Sequence, residues 1–206
     1  MEWKISSSYS PSEGVFVIFK ETALPGAFTI ELERRADERG FFARTWCQRE
    51  FAEHQLNAAL VQCSISFNKH KGTLRGIHYQ TPPFEEAKLV RCTSGAIYDV
   101  IVDLRQHSPA FKQSFGINLT AHNHTMLYIP EGIAHGFLTL GDNTEVFYQM
   151  SEVYCPTHCA GIRWNDPLFG VQWPFEPSIM SERDRNYSDF IPSVPTAPCS
   201  QPTAPC

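Results

Sequence analysis

The stretch that decides the fold is Pro130-Glu131-Gly132-Ile133-Ala134-His135-Gly136-Phe137, which places a turn directly before a strand. Proline and glycine favour a tight turn there, and residues His135–Leu140 fit a short strand. An earlier stretch, Gly72-Thr73-Leu74-Arg75-Gly76-Ile77-His78-Tyr79-Gln80, carries a second histidine and runs on towards Lys88 and Gly95. These two stretches hold the residues best suited to chemistry.

Strand patterns surround both stretches. Apolar and polar residues alternate with period two in short runs broken by Gly, Pro and Asn, which indicates an antiparallel sandwich or barrel. The predicted strands are Val15–Lys20, Ala27–Arg35, Val61–Phe67, Lys88–Cys92, Ala96–Leu104, Phe115–Thr120, Thr125–Ile129, His135–Leu140 and Thr144–Glu152. One helix is predicted over Cys47–Leu60, from apolar residues at helical spacing. A Rossmann fold is disfavoured, because strands and helices do not alternate and no GxGxxG is present.

Composition narrows the class of protein further. The 206 residues carry 17 Lys+Arg against 22 Asp+Glu, a net charge of −5, which argues against a nucleic-acid binder. No apolar run approaches the ~18 residues of a transmembrane helix, and the N-terminus lacks a signal-peptide pattern. The seven cysteines are odd in number and form no CxxC, so we expect reduced thiols and a cytoplasmic location.

One domain is predicted over residues 14–191, between a loose N-terminal segment, 1–13, and a disordered tail, 192–206. The tail is rich in Pro, Ser, Thr and Ala, and it repeats Thr-Ala-Pro-Cys at 196–199 and 203–206. Such a composition buries too little apolar surface to become ordered.

The two histidine stretches resemble the paired motifs of the cupin β-barrels. In the second cupin motif a Pro/Gly turn aims the following histidine, here His135, into the barrel mouth. Metal-binding cupins place His-x-His and then Glu in the first motif, where this chain has His78, Gln80 and Lys88. A divalent ion needs deprotonated donors, and a lysine would repel it. We therefore expect an all-β jelly-roll barrel with a metal-free pocket.

An ordered set of motifs resembles the dTDP-4-dehydrorhamnose 3,5-epimerase family of nucleotide-sugar enzymes, from about Phe28 to Asp184. The motifs are Asp37–Phe42, Leu74–Gln80, Lys88–Arg91, Asp99–Arg105, Pro130–Phe137, Trp164–Pro167 and Ser181–Asp184. The resemblance implies an isomerase of deoxysugar and polysaccharide biosynthesis, acting on a 6-deoxy-4-ketohexose attached to a nucleoside diphosphate. The C4 ketone acidifies the hydrogens on C3 and C5, so the reaction passes through an enolate and needs no redox cofactor or metal.

Four residues are implied as catalytic by their positions in the family motifs. His78 would be the base, since an imidazole suits proton transfer at neutral pH. Asp184 would orient His78 and stabilise its protonated form. Tyr148 would be the acid on the opposite face of the sugar. Lys88 would hold the C4 oxygen as it becomes anionic.

Further positions are implied to bind the substrate. Arg39, Arg75 and His135 match family positions that contact the phosphates or the sugar, and arginine suits bidentate recognition of phosphate. Gln62 matches a contact near the nucleobase of the substrate. Phe42 and Tyr154 offer stacking or packing surfaces for that nucleobase. The resemblance also implies a homodimer, because Arg39 and Phe42 lie in a segment that reaches towards the partner subunit.

Several recognition positions depart from the family pattern. Ala43 and Arg44 stand where an aromatic residue and a glutamate are usual, so Arg44 is a candidate contact that changes which nucleotide or sugar is accepted. Ser64 replaces a usual Asn, and Val153 replaces a frequent aromatic residue. A CDP- or GDP-linked sugar, or epimerisation at C3 or C5 alone, therefore stays open. A metal-dependent cupin enzyme and a non-catalytic sugar-binding barrel are the competing classes.

Overall fold

A computed structural model of the protein describes residues 16–191. The strands in this part of the chain are β1 (Val17–Glu21), β2 (Phe28–Leu32), β3 (Arg35–Asp37), β4 (Gly40–Phe42), β5 (Gln62–Asn68), β6 (Leu74–Gln80), β7 (Lys88–Ser94), β8 (Ala96–Asp103), β9 (Ser114–Thr120), β10 (Met126–Ile129), β11 (Ile133–Thr139), β12 (Thr144–Met150) and β13 (Cys159–Gly161). The helices are α1 (Gln48–Glu53) and α2 (Glu182–Arg185).

The strands form two large antiparallel sheets and one hairpin. The six-stranded sheet has the order β1-β2-β10-β7-β12-β5, and the five-stranded sheet has the order β13-β6-β11-β8-β9. The hairpin pairs β3 with β4. Buried side chains from both large sheets, among them Val90, Leu127 and Val146 on one side and Ile101 and Phe137 on the other, form one core cluster between them. This is the predicted all-β jelly-roll barrel.

Two further clusters cover the outer faces of the sheets. Phe51 of α1 packs with Ile30 and Tyr128 on the six-stranded sheet, near its β1–β2 end. We call residues 162–191, which follow β13, the C-terminal segment. Its residues Ile162 and Phe169 pack on the five-stranded sheet. That segment therefore lies over the outside of β6 and β8 before it turns towards the barrel mouth.

Close approach of two strands aligns the histidines of the two motifs. A Cβ on Gly76, whose φ is +123°, would lie 2.5 Å from the Cα of Gly136, so neither β6 nor β11 has room for a side chain at that point. His135 of β11 pairs directly with His78 of β6, and Phe137 pairs with Arg75. The register therefore shifts by one residue between His135 and Phe137. The glycines of both motifs thus set the two imidazoles side by side.

The predicted strands are confirmed, with shifts of a few residues at their ends. The helix prediction over Cys47–Leu60 is wrong in its second half, because α1 ends at Glu53 and Gln55 has a φ of +59°. Leu56 still packs against the cluster around Phe51, so its apolar character reflects burial without a helix. Strands β3, β4, β6 and β13 were not predicted.

The N-terminal segment, 1–13, and the tail, 192–206, lie outside the described residues, so their predicted looseness stays a prediction. Neither of the described helices has the length and apolar composition that a bilayer crossing requires. The five cysteines within residues 16–191 are unpaired.

Candidate active site

A cavity of about 750 Å³ opens between the two sheets. The six-stranded sheet contributes residues of β5, β7 and β12, the five-stranded sheet contributes residues of β6 and β11, and the C-terminal segment closes one side. The structure places eight of the eleven predicted site residues in its wall: Gln62, Arg75, His78, Lys88, His135, Tyr148, Tyr154 and Asp184.

His78 and Asp184 form a hydrogen-bonded pair in this wall. The Nε2 atom of His78 lies 2.6 Å from Oδ1 of Asp184, and the aspartate side chain is only 5% exposed. The second carboxylate oxygen of Asp184 accepts a hydrogen bond from the backbone N–H of Gly76, at 3.3 Å. The side chain of His78 keeps 32% exposure, so one partner is buried and the other reaches the cavity.

Local sequence explains how Asp184 arrives from a distant part of the chain. Thr73 pairs with Ile179 in a parallel bridge at the start of β6, which brings the C-terminal segment alongside the strand. Ser181 then caps α2, and its hydroxyl accepts a hydrogen bond from the backbone N–H of Asp184. The cap fixes the first turn of α2, so the carboxylate is held against His78.

The electrostatics of Asp184 favour its ionised form. Burial alone raises the pKa of the carboxyl group, but the hydrogen bond and charge of His78, with bonds from Gly76 and Ser181, outweigh burial and hold the pKa below its ordinary value. An ionised carboxylate only accepts hydrogen bonds, so Nε2 of His78 carries the proton. The nitrogen left to accept a proton from a substrate is therefore Nδ1.

A second histidine–aspartate pair lies beside the first. His135 Nε2 lies 2.6 Å from Oδ1 of Asp99, a residue of β8 that is fully buried. Asp99 lies in one of the motifs shared with the family, but the sequence alone did not assign it a role. The signal that could have found it is its place between Ile97 and Ile101 on one face of the strand, where a buried carboxylate needs a partner.

Lys88 and Tyr148 lie on the six-stranded sheet, in the opposite wall from His78. Tyr148 is in the middle of β12, between Ser64 of β5 and Val90 of β7, and its ring packs against the core. Lys88 begins β7, and its ammonium group lies 2.7 Å from the carboxylate of Glu86. Base and acid candidates thus stand on different sheets, as inversion at a carbon requires.

Other cavity residues hold one another in place. Arg75 donates from Nε to the side-chain oxygen of Asn68 at 2.7 Å, and Gln62 accepts from the backbone N–H of Tyr154 at 2.9 Å. Arg183 also lines the cavity. It lies in the Ser181–Asp184 motif, but the sequence alone did not assign it a role. Hydrogen bonds to Tyr154 and then to Cys159 raise the pKa of Arg183 above its ordinary value. Its position next to Asp184 in the motif was the available signal.

Three predicted binding residues lie outside the cavity in this single chain. Arg39 lies in the β3–β4 turn, 84% exposed, and its side chain pairs with Asp37. Phe42 on β4 is 68% exposed. Arg44 forms an ion pair with the buried Glu50 at 2.6 Å, so the arginine that replaces the usual glutamate also secures the start of α1.

The cavity donors suit hydrogen bonding better than divalent-ion binding. The Gln80 amide donates to the backbone carbonyls of Phe84 and Val153, and its oxygen accepts from Cys155 N–H. Residues 16–191 contain no group of three His, Cys, Asp or Glu side chains arranged for a metal ion. Catalysis without a metal stays a prediction.

Comparison with known proteins defines the class: an epimerase of nucleotide-linked sugars built on the cupin barrel. The profile of the dTDP-4-dehydrorhamnose 3,5-epimerases matches residues 21–191. A protein of that name from Methanothermobacter thermautotrophicus is 42% identical over 172 residues, covering 82% of this chain and 92% of its own. The chain belongs to the dTDP-4-dehydrorhamnose 3,5-epimerase family and is an isomerase.

Solved structures agree with this assignment. The dTDP-4-dehydrorhamnose 3,5-epimerase of Elizabethkingia anophelis superposes with a TM-score of 0.82 at 34% identity, covering 84% of this chain and 96% of its own. The Legionella pneumophila enzyme, solved with dTDP-4-keto-L-rhamnose, gives 0.76 at 32% identity, covering 82% and 90%. A 3′-monoepimerase from Streptomyces bikiniensis, solved with dTDP-quinovose, gives 0.75 at 30%, covering 82% and 85%.

Proposed function

We propose that the cavity binds a dTDP-linked 4-keto-6-deoxyhexose and inverts both C3 and C5 by proton transfer. The observation that carries this proposal is the buried His78–Asp184 pair facing Tyr148 and Lys88 across one cavity. A base and an acid on different walls are what an inversion through a planar enolate needs.

The base step uses His78 and Asp184. Nδ1 of His78 takes the proton from C3 or C5, and the electron pair of the broken C–H bond moves to the C4 oxygen to give an enolate. His78 is then an imidazolium, which the ionised Asp184 stabilises. Lys88 supplies a cation to the enolate oxygen, where a preorganised charge lowers the barrier most.

The acid step uses Tyr148. A phenol with an ordinary pKa near ~10 is protonated at neutral pH, so it can donate its proton to the carbon from the face away from His78. The C4 carbonyl re-forms as the proton arrives, and the configuration is inverted. Return of a proton from His78 itself would restore the starting sugar.

Recognition of the nucleotide extends beyond one chain. Arg75 and Arg183 bring positive charge to a protein of net charge −5, as a diphosphate demands. A homodimer would add Arg39 and Phe42 of a second copy, because the β3–β4 hairpin holds both outside its own cavity. An apolar surface supports that partner: Val61, Ile65 and Phe67 are each at least half exposed on one side of the edge strand β5 and the residue before it.

Three finer points accompany the proposal: the nucleotide, the carbon that is inverted and the location of the protein. The ion pair of Arg44 with Glu50 keeps this arginine near its own helix, so we propose dTDP rather than CDP or GDP as the carrier. Inversion at C3 alone is the alternative outcome, since a 3′-monoepimerase shares this fold. Unpaired cysteines within residues 16–191 favour the cytoplasm as the location.

Deuterium incorporation tests the proposal. The protein is incubated with dTDP- and CDP-4-keto-6-deoxyglucose in deuterated water, with and without prior chelator treatment, and NMR locates the label. We expect deuterium at C3 and C5 of the dTDP sugar, with the same rate after chelation. Label at C3 only would replace double by single epimerisation, and no label with either sugar would leave a non-catalytic barrel.

A further inference from the structure

Glu86 is a buried carboxylate in the cavity wall that the proposed mechanism does not use. Its side chain is 4% exposed, and Oε1 accepts a hydrogen bond from the Lys88 ammonium at 2.7 Å. Glu86 lies in the loop before β7. The backbone N–H of the next residue, Ala87, donates a hydrogen bond to the hydroxyl of Ser151 and so holds this loop in place. Its neighbour Glu85 is exposed and does not line the cavity.

The second oxygen of Glu86 lacks a donor. Within residues 16–191, Oε2 is buried and accepts no hydrogen bond, whereas Oε1 pairs with the Lys88 ammonium. Buried carboxylate oxygens are nearly always satisfied, because leaving one without a donor forfeits the hydration it had in water. Glu86 lines the binding cavity, so a ligand hydroxyl that reaches this oxygen would supply the missing donor.

Sugar chemistry limits which donor this can be. Lys88 is assigned to the C4 oxygen, so Glu86 lies beside the atoms next to C4. On one side C5 carries the ring oxygen and the C6 methyl group, neither of which can donate a hydrogen bond. On the other side C3 carries a hydroxyl group, which can. Of the two neighbours of C4, only the C3 hydroxyl matches a carboxylate.

We propose that Glu86 accepts a hydrogen bond from the C3 hydroxyl of the substrate and thereby makes the enzyme selective for 3-hydroxylated 4-ketosugars. This inference rests on the proposed function and names the part of the sugar that it reads. Glu86 would then contact the C3 oxygen directly and would also hold Lys88, which contacts the C4 oxygen. A 3-deoxy sugar leaves Oε2 without a donor, which costs binding in the transition state.

A cycle of two substrates and two proteins tests this role. The substrates are dTDP-4-keto-6-deoxyglucose and its 3-deoxy counterpart, and deuterium exchange at C5 is measured for both, because C5 is equally activated in each. We expect wild type to exchange the 3-deoxy sugar about tenfold more slowly, from one lost charge-assisted bond. Glu86→Gln should slow the hydroxylated substrate about tenfold more than the 3-deoxy substrate, because any effect through Lys88 is common to both.

Glu85→Gln is the matched control, since it removes the same charge from the same loop outside the cavity and should leave both rates unchanged. Equal slowing of both substrates by Glu86→Gln would show that Glu86 acts only by holding Lys88, and would overturn the proposal. Equal exchange of both substrates by wild type would overturn it without any variant. No exchange with either substrate by wild type would instead refute the proposed function itself.

Discussion

At the scale of single residues, the His78–Asp184 pair determines which ring nitrogen is available to act as the base of the proposed mechanism. Because Asp184 is ionised and accepts from Nε2, the other ring nitrogen has the free electron pair. Rotation of the imidazole about its Cβ–Cγ bond would break the 2.6 Å contact, so the pair also fixes the direction in which a proton can be taken.

His78→Asn should abolish exchange at both carbons, because His78 is the more exposed of the two cavity histidines that pair with a buried aspartate: its side chain is 32% exposed, against 11% for His135. Loss of a general base typically costs ~10²–10⁴-fold in rate. Affinity for dTDP, measured by calorimetry, should change little. Exchange near the wild-type rate would contradict the assignment of the base.

Tyr148→Phe should separate exchange from inversion. The substitution removes the hydroxyl group and keeps the ring, which packs against the core. Deuterium should still enter from the His78 side, while the yield of inverted sugar, measured by NMR coupling constants, should fall at least tenfold. Inversion as fast as in the wild type would mean that water or another side chain is the acid.

Asp184 should also make the stability of the fold depend on pH. Its pKa is lower in the folded protein than the ~3.9 of an unfolded chain, so its stabilisation is complete above that value and is lost as the pH falls through the folded pKa. We expect the free energy of unfolding in urea to fall as the pH drops below about 5. Asp184→Asn should flatten that fall, and identical profiles for both proteins would refute the effect.

Sequence reasoning found the cavity residues that stand in dense motifs, such as His78 and Lys88. It did not assign Glu86, Asp99 or Arg183, because their roles depend on partners brought together by folding. Glu86 and Lys88 are two apart and were readable as an ordinary charged pair on a surface. Burial, which a sequence does not display for a single glutamate, turns that pair into part of a site.

At the scale of elements, the β3–β4 hairpin is the part that a second copy should use. Arg39→Ala should lower kcat/KM about tenfold, since one arginine contact to a phosphate is lost. Adding an excess of His78→Asn chains should restore activity per Arg39→Ala chain, because each hybrid pairs an intact barrel with an intact Arg39. Excess chains carrying both substitutions are the control and should restore nothing.

Strand β6 shows why an essential element can be missed. Ile77 is buried on the outer face, in one cluster with Ile162, whereas Leu74 and Gln80 are buried in the cavity wall, so no period-two pattern results. Helix α1 shows the opposite error, since apolar residues at helical spacing continue beyond Glu53 although the backbone turns at Gln55.

At the scale of the whole molecule, the barrel and its C-terminal segment should be independent of the tail. Truncation after Ile191 should leave the melting temperature and the turnover rate nearly unchanged, since a Pro-, Ser- and Thr-rich segment buries little apolar surface. Thermal unfolding and the exchange assay measure the two quantities. A fall of several degrees would show that residues 192–206 pack on the barrel.

The docking of residues 179–184 against β6 has a consequence for protein synthesis. His78 and its carboxylate are separated by 106 positions, so a nascent chain has its complete base only after nearly all of the domain has left the ribosome. Any product of premature termination before residue 184 lacks the partner of His78. On the proposed mechanism, proton abstraction would therefore begin only when translation has delivered the last part of the domain, and we expect unfinished chains to be inactive.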